Sequence, residues 1–238
     1  MDISELRKLA SKEELSLNYI AKDLMISKAL FGMQGFENII LKGGTALNRV
    51  YLKNKRFSED IDFDLVFRGS IMGAIEKTRE IISRLGEFEL SKPRIMKETI
   101  RYDLYYNNPL DHRDKIRIEF KAITNPSEHS HKVVNFGFVP FDASLHNVYE
   151  LEVLLKHKID CVLNRIEGKD FFDIYHILDV LKGNINIPKQ DILDRIDIIS
   201  KDISFIANTL NHYVPRTKRP DWETFLIELR DKIRKMGE

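Results

Sequence analysis

Residues 41–65, LKGGTALNRVYLKNKRFSEDIDFDL, join a Gly-Gly-Thr turn to a row of three aspartates. Asp60, Asp62 and Asp64 alternate with apolar residues, so in a β-strand their carboxylates lie on one face and the apolar side chains on the other. Such a row of like charges is unfavourable unless cations fill it, and the alternative interpretation is a solvated strand face. Because Asp is disfavoured in strands and oxygen ligands suit Mg²⁺ or Mn²⁺, the row predicts a metal-dependent nucleotide or phosphate site.

The glycine turn comes shortly before this row. Gly43 and Gly44 have no side chains, so the backbone can approach a phosphate closely, and N–H groups at the start of the next helix can bind the anion. The turn is therefore well placed to bring phosphates over the carboxylates. An ordinary turn is the alternative, and no Gly-Lys-Ser follows as it would in a P-loop.

Composition limits the class of protein. The chain has 238 residues, of which 43% are hydrophobic and 32% charged, which is enough for a packed core with a highly charged surface. The net charge of +1 exerts no global attraction on nucleic acid, so binding to RNA or DNA needs local basic patches. The single Cys161 excludes an intrachain disulfide and favours a reducing cytoplasm. No apolar run approaches the roughly 18 residues of a membrane helix, so we expect a soluble cytoplasmic protein without membrane contacts.

The hydrophobic pattern changes after Pro140. Before it, a capping box at Ser11 and Glu14 predicts the start of a helix, and helices alternate with short strands. The predicted helices there are 17–31, 45–52 and 71–85, the predicted strands are 39–42, 60–66, 100–106 and 114–122, and 124–131 is a predicted loop. After it, the pattern predicts only helices, at 151–163, 170–181, 189–210 and 222–235. We therefore expect an α+β core over residues 1–140 and a helical domain over 141–238.

A second charged strand follows in the segment KIRIEFKA, residues 115–122. Arg117 and Glu119 share one face of this strand, and the apolar residues share the other. Since a metal pair usually takes a carboxylate from a neighbouring strand too, Glu119 is a candidate ligand and Arg117 a candidate phosphate contact. The alternative is an edge strand with alternating charges.

A third group of charged residues lies in the helical half, within HKIDCVLNRIEGKDFFDIYHIL. Lys158 and Arg165 are seven positions apart and share a helix face, and Asp170 and Asp173 are one turn apart on the next helix, beside Lys169. Cations aimed at a metal–phosphate centre stabilise developing charge. The alternative is an ordinary charged helix whose surface ion pairs contribute little.

The three groups, in this order, resemble the AbiE-type nucleotidyltransferase toxins of type IV toxin–antitoxin modules, within the DNA polymerase β-like nucleotidyltransferase superfamily. The resemblance covers roughly residues 39–178. It implies a small mixed-sheet nucleotidyltransferase core flanked by helices, followed by a helical domain that contributes to the active-site cleft. One departure is Gly44-Thr45, where superfamily members often have Gly-Ser, and the hydroxyl of Thr45 keeps that function available.

The resemblance also implies roles for individual residues. Asp60, Asp62 and Glu119 would be the metal ligands, for Mg²⁺ or Mn²⁺, and Asp64 would be an extra residue outside this set. Catalytic roles are implied for Asp60, Asp62, Glu119, Lys158, Asp170 and Asp173. Nucleotide contacts are implied for Gly43, Gly44, Thr45, Arg117, Lys158 and Arg165.

The implied reaction is transfer of a nucleoside monophosphate from a nucleoside triphosphate to an acceptor, with RNA, such as a tRNA 3′ end, as the expected acceptor. The resemblance further implies a toxin with a cognate antitoxin. Two alternatives remain open at this point. The acceptor can be a small molecule or a protein, or the chain can be a non-catalytic partner-binding protein of the same fold.

Overall fold

The computed structural model of the chain describes residues 1–135, 137–181 and 185–236. The chain divides into two compact units, Met1–Glu150 and Leu151–Glu238. The first contains all the strands of the described residues, and the second contains helices.

The first unit surrounds its sheet with helices. The helices are α1 (Ile3–Glu13), α2 (Leu17–Gly32), α3 (Gly43–Ala46), which continues into a π-helical turn (Leu47–Tyr51), and α4 (Ile71–Ile82). The strands are β1 (Ile39–Lys42), β2 (Asp60–Val66), β3 (Glu89–Leu90), β4 (Arg94–Met96), β5 (Thr99–Asn108), β6 (His112–Ile123), β7 (His129–Val134) and β8 (Ser144–Tyr149).

These strands form one mixed sheet in the order β3-β5-β6-β2-β1-β8-β7, with β4 also paired to β5. β2 runs parallel to β6, and β1 runs parallel to β8. The remaining pairs are antiparallel. The expected α+β class with a mixed-sheet core is confirmed, and β2, which carries the aspartate row, lies inside the sheet between β1 and β6.

One face of the sheet is the core of this unit. Ile61, Phe63 and Leu65 of β2 are fully buried. The Phe63 ring stacks on Phe120, its neighbour on β6, with ring centroids 5.6 Å apart. α2 and α4 contact β6. Because side chains alternate along a strand, burying these residues places the intervening aspartates on the opposite face.

One prediction about the N-terminal helices is wrong. Ser11 does not begin a helix, because it lies inside α1, whose N-terminus is capped by Asp2 in a capping box with Glu5. α2 is capped instead by Ser16, which accepts from the Tyr19 amide. Ser11–Glu14 and Asp2–Glu5 both have the spacing of a capping box. The rule depends on local sequence alone, so it does not tell which of the two begins a helix.

The region around the predicted domain boundary also differs. The boundary was expected after residue 140, whereas the first unit extends to Glu150 because β8 pairs with β1 and β7. The predicted loop 124–131 includes the start of β7. Neither strand shows the regular apolar alternation on which the prediction depended, and β8 is buried at nearly every position.

The second unit is helical. Its helices are α5 (Leu151–Asn164), α6 (Gly168–Val180), α7 (Lys189–Ile199), α8 (Ile203–Leu210) and α9 (Trp222–Lys235). The predicted helix 189–210 is therefore two helices. Phe172 of α6 stacks against Phe225 of α9, with ring centroids 6.1 Å apart, and both are buried. Among the described residues, no helix combines the length and the apolar character needed to span a membrane.

His146 on β8 predicts a pH dependence of stability. Its ring is 3% exposed, and its Nε2 lies 3.0 Å from the Leu30 carbonyl oxygen. Burial lowers the pKa of His146 to about 4. The unfolded chain therefore binds a proton below pH 6.5 that the folded chain excludes, so stability falls as the pH drops from 6.5 towards 4. We expect about 2 kcal/mol to be lost between pH 7 and pH 5.

Urea unfolding at pH 7, 6 and 5 measures this loss. His146→Gln, which keeps a donor for the Leu30 carbonyl but cannot titrate, should flatten the profile. His112→Gln, at an exposed position of β6, is the matched control and should leave the profile unchanged. Identical pH profiles for His146→Gln and the wild type would contradict the assignment.

Candidate active site

The Gly-Gly-Thr turn connects β1 to α3. Gly43 has a φ of +70°, which L residues rarely adopt, and a Cβ at this position would fall on the Asp62 carboxylate. A Cβ at Gly44 would lie 2.6 Å from Arg56 Nη2 and 2.7 Å from Ser58 Oγ. The absence of both side chains therefore lets the turn lie directly against the start of β2 and the segment before it.

Thr45 and Asn48 fix this turn. Thr45 is fully buried, and its hydroxyl donates to the Asp60 carbonyl oxygen at 2.5 Å. Asn48 donates to the Gly44 carbonyl at 3.0 Å and accepts from the Arg56 amide at 3.1 Å. The Thr45 hydroxyl thus ties the turn to the aspartate strand, and its contact with nucleotide stays a prediction.

The carboxylate row meets β6 in register. Asp62 lies beside Glu119, and Asp60 lies beside Arg117, across the parallel pair. Residues directly opposite in a sheet share a face. The Asp60 side chain is 28% exposed, with Arg117 Nη1 3.5 Å from its Oδ2. The structure therefore brings Gly43, Asp60, Asp62 and Glu119 to one place on the face opposite the core.

Asp64 differs from the other two aspartates. It is 5% exposed, forms an ion pair with Lys42 and accepts a hydrogen bond from the Tyr149 hydroxyl at 2.6 Å. Burial and the adjacent Asp64 carboxylate raise the pKa of Tyr149 above its ordinary value, so the hydroxyl stays protonated and donates. Asp64 is thus held in the interior of the first unit by β1 and β8.

Glu119 has a partner that the sequence did not indicate. Arg101, directly opposite on β5, donates to Glu119 Oε1 from Nε at 2.8 Å and from Nη2 at 2.6 Å. Neither of these two bonds involves Oε2. Both side chains are about one quarter exposed, so the pair lies at the surface of the sheet.

The donor set suits a divalent cation in type and position. Asp60 and Asp62 supply oxygen ligands from one strand face, and the missing Cβ of Gly43 lets the Asp62 carboxylate lie directly against the glycine turn. Glu119 is next to Asp62, but its Oε1 is engaged by Arg101. Within residues 1–135, 137–181 and 185–236, no three His, Cys, Asp or Glu side chains already converge as a metal cluster. Completing the ligand set therefore requires Glu119 to turn towards Asp62.

The second unit holds its own charged cluster. Lys158 Nζ lies 2.8 Å from Asp170 Oδ1 and 2.8 Å from Asp173 Oδ2. Both aspartates are fully buried, and the Lys158 side chain is 8% exposed. Arg165 donates from Nε to Asp170 Oδ2 at 2.9 Å. The structure thus brings these four predicted residues together, whereas Lys169 pairs with Glu167.

The cluster keeps the Asp170 carboxylate ionised. Burial acts to raise the pKa of Asp170, but the charge of Lys158 and the hydrogen bonds from Arg165 and Lys158 outweigh it and hold the pKa below its ordinary value. Burial acts to lower the pKa of Arg165, and the hydrogen bond to Asp170 overcomes it and raises that pKa. The pairs of Lys158 with Asp170 and Asp173 are thus buried, unlike the surface ion pairs of the alternative interpretation.

Three residues near the first group were missed. Arg56 and Ser58 face Gly44, and Arg101 binds Glu119. Arg56 and Ser58 directly precede the aspartate row, so their proximity was a usable signal. Arg101 is 18 positions from Glu119. Its role depends on the register of the β5–β6 hairpin, which the sequence did not specify.

Gly43→Ala should weaken the site more than it weakens the fold. The left-handed backbone costs about 1–2 kcal/mol for an alanine, and the new methyl group would displace the Asp62 carboxylate. Gly35→Ala is a matched control, since Gly35 has a φ of +81° but no atom within 4 Å of its Cβ position. We expect similar losses of stability in thermal unfolding. The nucleotide transfer that the resemblance implies should fall at least about a hundredfold in Gly43→Ala alone. Equal activities of the two variants would contradict a role in the reaction for the close packing of Gly43 against the Asp62 carboxylate.

The fold is similar to those of solved nucleotidyltransferases. MenT4, a nucleotidyltransferase toxin of Mycobacterium tuberculosis, superposes with a TM-score of 0.62 at 15% identity, covering 98% of this chain and 88% of that one. JHP933 from Helicobacter pylori superposes with a TM-score of 0.60 at 17% identity, covering 92% of each chain. A putative nucleotidyltransferase from H. pylori has the same TM-score and identity, covering 92% of this chain and 95% of that one. At these identities the likeness shows the fold alone.

The sequence itself assigns the family. No curated protein matches this chain. The family described as "Nucleotidyl transferase AbiEii toxin, Type IV TA system" matches residues 28–235, which is most of the chain and includes all three groups of charged residues. The predicted resemblance is confirmed: the chain belongs to the AbiEii family of nucleotidyltransferase toxins of type IV toxin–antitoxin systems.

Proposed function

We propose that this nucleotidyltransferase transfers a nucleoside monophosphate from a nucleoside triphosphate to a hydroxyl of RNA, with Mg²⁺ or Mn²⁺ held by Asp60, Asp62 and Glu119. One observation carries the proposal. Asp60 and Asp62 lie on the open face of β2, with Gly43 against one of them and Glu119 in register beside it. Three carboxylates next to a side-chain-free turn suit a cation that carries phosphate oxygens.

In the proposed reaction, the acceptor oxygen attacks the α-phosphorus of the triphosphate. A new oxygen–phosphorus bond forms, the bond from the α-phosphorus to the β-phosphate oxygen breaks, and pyrophosphate leaves. The hydroxyl proton passes to a carboxylate of the row. When bound, the divalent cation would offset phosphate charge and lower the pKa of the attacking hydroxyl.

The residues of the first unit mainly position the reactants. Gly43 and Gly44 begin α3, and the N–H groups of this first turn can donate to phosphate oxygens. Thr45 holds that backbone to β2 through the Asp60 carbonyl. Arg117, 43% exposed and next to Asp60, contributes a positive charge for a phosphate.

For the second unit, which we propose also contributes to catalysis, the roles follow from the buried cluster. Arg165 keeps 46% of its side chain exposed while Asp170 holds its Nε, so its guanidinium can contact a triphosphate. Lys158, Asp170 and Asp173 then act as positioning residues that fix Arg165, with Lys158 a second candidate for a phosphate contact. Arg165→Gln should raise KM for the triphosphate more than it lowers kcat.

We place this activity in the cytoplasm, where nucleoside triphosphates and RNA are available. Toxins of type IV systems are paired with antitoxins, so we expect a cognate antitoxin for this chain. Co-expression of that antitoxin should relieve growth arrest caused by the toxin.

The test is incubation of the full chain with each α-labelled nucleoside triphosphate, Mg²⁺ and total RNA. Label in RNA, lost on chelation of the metal and restored by Mg²⁺ or Mn²⁺, is the expected result. Separate reactions with protein and with small-molecule hydroxyl acceptors test the alternative acceptors. Label found only in those acceptors would overturn the RNA assignment, and no transfer to any acceptor would overturn the enzymatic proposal.

A further inference from the structure

A row of cations leads away from the carboxylates along β6. Arg117, Lys115 and Arg113 alternate along the strand on the same face as Glu119, and their side chains are 43%, 47% and 57% exposed. The register places Arg117 beside Asp60, so the row begins at the proposed reaction centre. With a rise of about 3.4 Å per residue, it continues for about 14 Å.

The neighbouring strand adds an aromatic ring to this row. Tyr105 of β5 lies directly opposite Lys115. The Arg113 guanidinium carbon lies 4.6 Å from the centroid of its ring, and the Lys115 ammonium lies 5.9 Å from it. The partly exposed ring is therefore flanked by cations, which is a suitable environment for an unpaired base beside its phosphates.

The local carboxylates neutralise these cations only in part, because Asp60, Asp103 and Glu89 are three carboxylates beside the four cations Arg94, Arg113, Lys115 and Arg117. Asp103 is 4% exposed and bonds Lys115 Nζ at 2.8 Å, with Arg94 Nη2 of β4 at 3.8 Å. Burial acts to raise the pKa of Asp103, but the Lys115 hydrogen bond and the charges of Lys115, Arg94 and Arg117 outweigh it and lower that pKa. One ionised carboxylate thus serves several cations.

Another carboxylate beside these cations, Glu89, neutralises its partner less than Asp103 does. Glu89, which pairs with Arg113 at 2.7 Å, is 72% exposed, and surface pairs of this kind contribute little. Since the chain as a whole carries only +1, the positive charge of this face is a local feature rather than a consequence of composition.

We propose that this surface, the β5–β6 basic strip (Arg94, Tyr105, Arg113, Lys115 and Arg117), binds the last nucleotides of a single-stranded RNA end. Backbone phosphates lie along the cations, one base stacks on Tyr105, and the terminal hydroxyl reaches Asp60 and Asp62. The inference rests on the proposed function and specifies the form of its acceptor. A single row of cations with one ring suits an unpaired strand, because the bases of a duplex are already stacked.

Fluorescence anisotropy with a labelled twelve-nucleotide single-stranded RNA tests the strip directly. Arg113→Gln/Lys115→Gln removes two cations, and Arg7→Gln/Lys8→Gln removes two exposed cations of α1 as the matched control. We expect about tenfold weaker binding and a salt slope smaller by about 1.4 in the strip variant only. Equal Kd values for the two double variants would overturn the proposal.

Tyr105 gives a second, independent measurement. Tyr105→Ala should weaken RNA binding about tenfold, whereas Tyr105→Phe keeps the ring and should bind as the wild type does. Arg94→Gln, at a position with a 65% exposed side chain, tests the charge without removing the closest partner of Asp103. Wild-type affinity in both Tyr105→Ala and Arg94→Gln would also overturn the proposal.

Two further arms separate this inference from the function beneath it. If Arg113→Gln/Lys115→Gln transfers label to RNA with an unchanged KM, the proposed RNA binding by the strip is wrong, whereas the proposed nucleotidyl transfer to RNA is supported. If the wild type binds RNA through the strip but labels only another acceptor, RNA binding by the strip is supported, whereas RNA is wrong as the acceptor. A single-stranded DNA of the same sequence and a duplex RNA complete the set, and equal affinity for either would overturn the choice of a single-stranded RNA end.

Discussion

Asp62→Asn should lower kcat/KM for nucleotidyl transfer by about a thousandfold or more while leaving the fold intact. Asparagine has nearly the same shape, so the packing against Gly43 persists, but one negative charge is lost where the cation must bind. Charge stabilisation by a bound metal contributes several kcal/mol to such reactions, and each 1.36 kcal/mol is a factor of ten in rate. Transfer of labelled nucleotide to RNA measures the loss, and thermal unfolding checks the fold.

Two other aspartates make this experiment specific. Asp142→Asn, at an exposed position outside the site, makes the same chemical change and should have no effect. Asp64→Asn tests the row itself, because Asp64 is held by Lys42 and Tyr149 in the interior. We expect it to reduce stability and to keep transfer within about tenfold of the wild type.

The comparison between the two row variants is decisive. If Asp64→Asn kept its full stability but lost activity as severely as Asp62→Asn, the assignment of Asp64 as a structural residue outside the metal ligands would be wrong. Calorimetry with Mg²⁺ and a nucleoside triphosphate adds a reading that does not depend on turnover. Metal-dependent binding should weaken in Asp62→Asn and persist in Asp64→Asn.

The sequence predicted those elements whose signals are local. The alternation in DIDFDLV predicted β2 over its observed bounds, and the amphipathic pattern from Trp222 predicted α9. β8 was missed because a strand between two others, buried on both faces, has no alternation to detect. The π-helical turn after α3 was predicted as ordinary helix, since the residue pattern of the two is the same.

The candidate site divides in the same way. The residues that carry charge were evident from spacing, because Asp60 and Asp62 alternate within one strand. What each carboxylate touches depends on contacts distant in sequence. The Arg101–Glu119 pair joins two strands, and the Lys158–Asp170 and Lys158–Asp173 pairs join two helices. Such pairing follows from tertiary packing, which the sequence pattern of either partner does not contain.

Lys158→Met should be the most destabilising single change in the second unit. Methionine fills a similar volume but removes the cation that lies 2.8 Å from two fully buried carboxylates. Arg165 still compensates Asp170, whereas Asp173 loses the ammonium that lies 2.8 Å from its Oδ2. Removing one member of a buried ion pair costs about 3–5 kcal/mol, which for a chain of this size is a fall in Tm of roughly 10 °C.

A control and a rescue bracket this result. Lys156→Met changes an exposed lysine of the same helix, α5, and should leave Tm nearly unchanged. Lys158→Met/Asp173→Asn removes the charge of Asp173 together with that of the lysine and should recover at least half of the lost stability. A double variant no more stable than Lys158→Met would mean that the destabilisation comes from packing and not from the buried charge.

The rescued protein also distinguishes structure from chemistry at Lys158. If the lysine only offsets Asp170 and Asp173, transfer should return together with stability in Lys158→Met/Asp173→Asn, with KM for the triphosphate at its wild-type value. If Lys158 also positions Arg165 or contacts a phosphate, the double variant should fold and still show a raised KM or a lowered kcat. The second result is the one we expect, since a buried ion-pair cluster kept only for stability could be replaced as a whole by apolar residues of similar volume without loss.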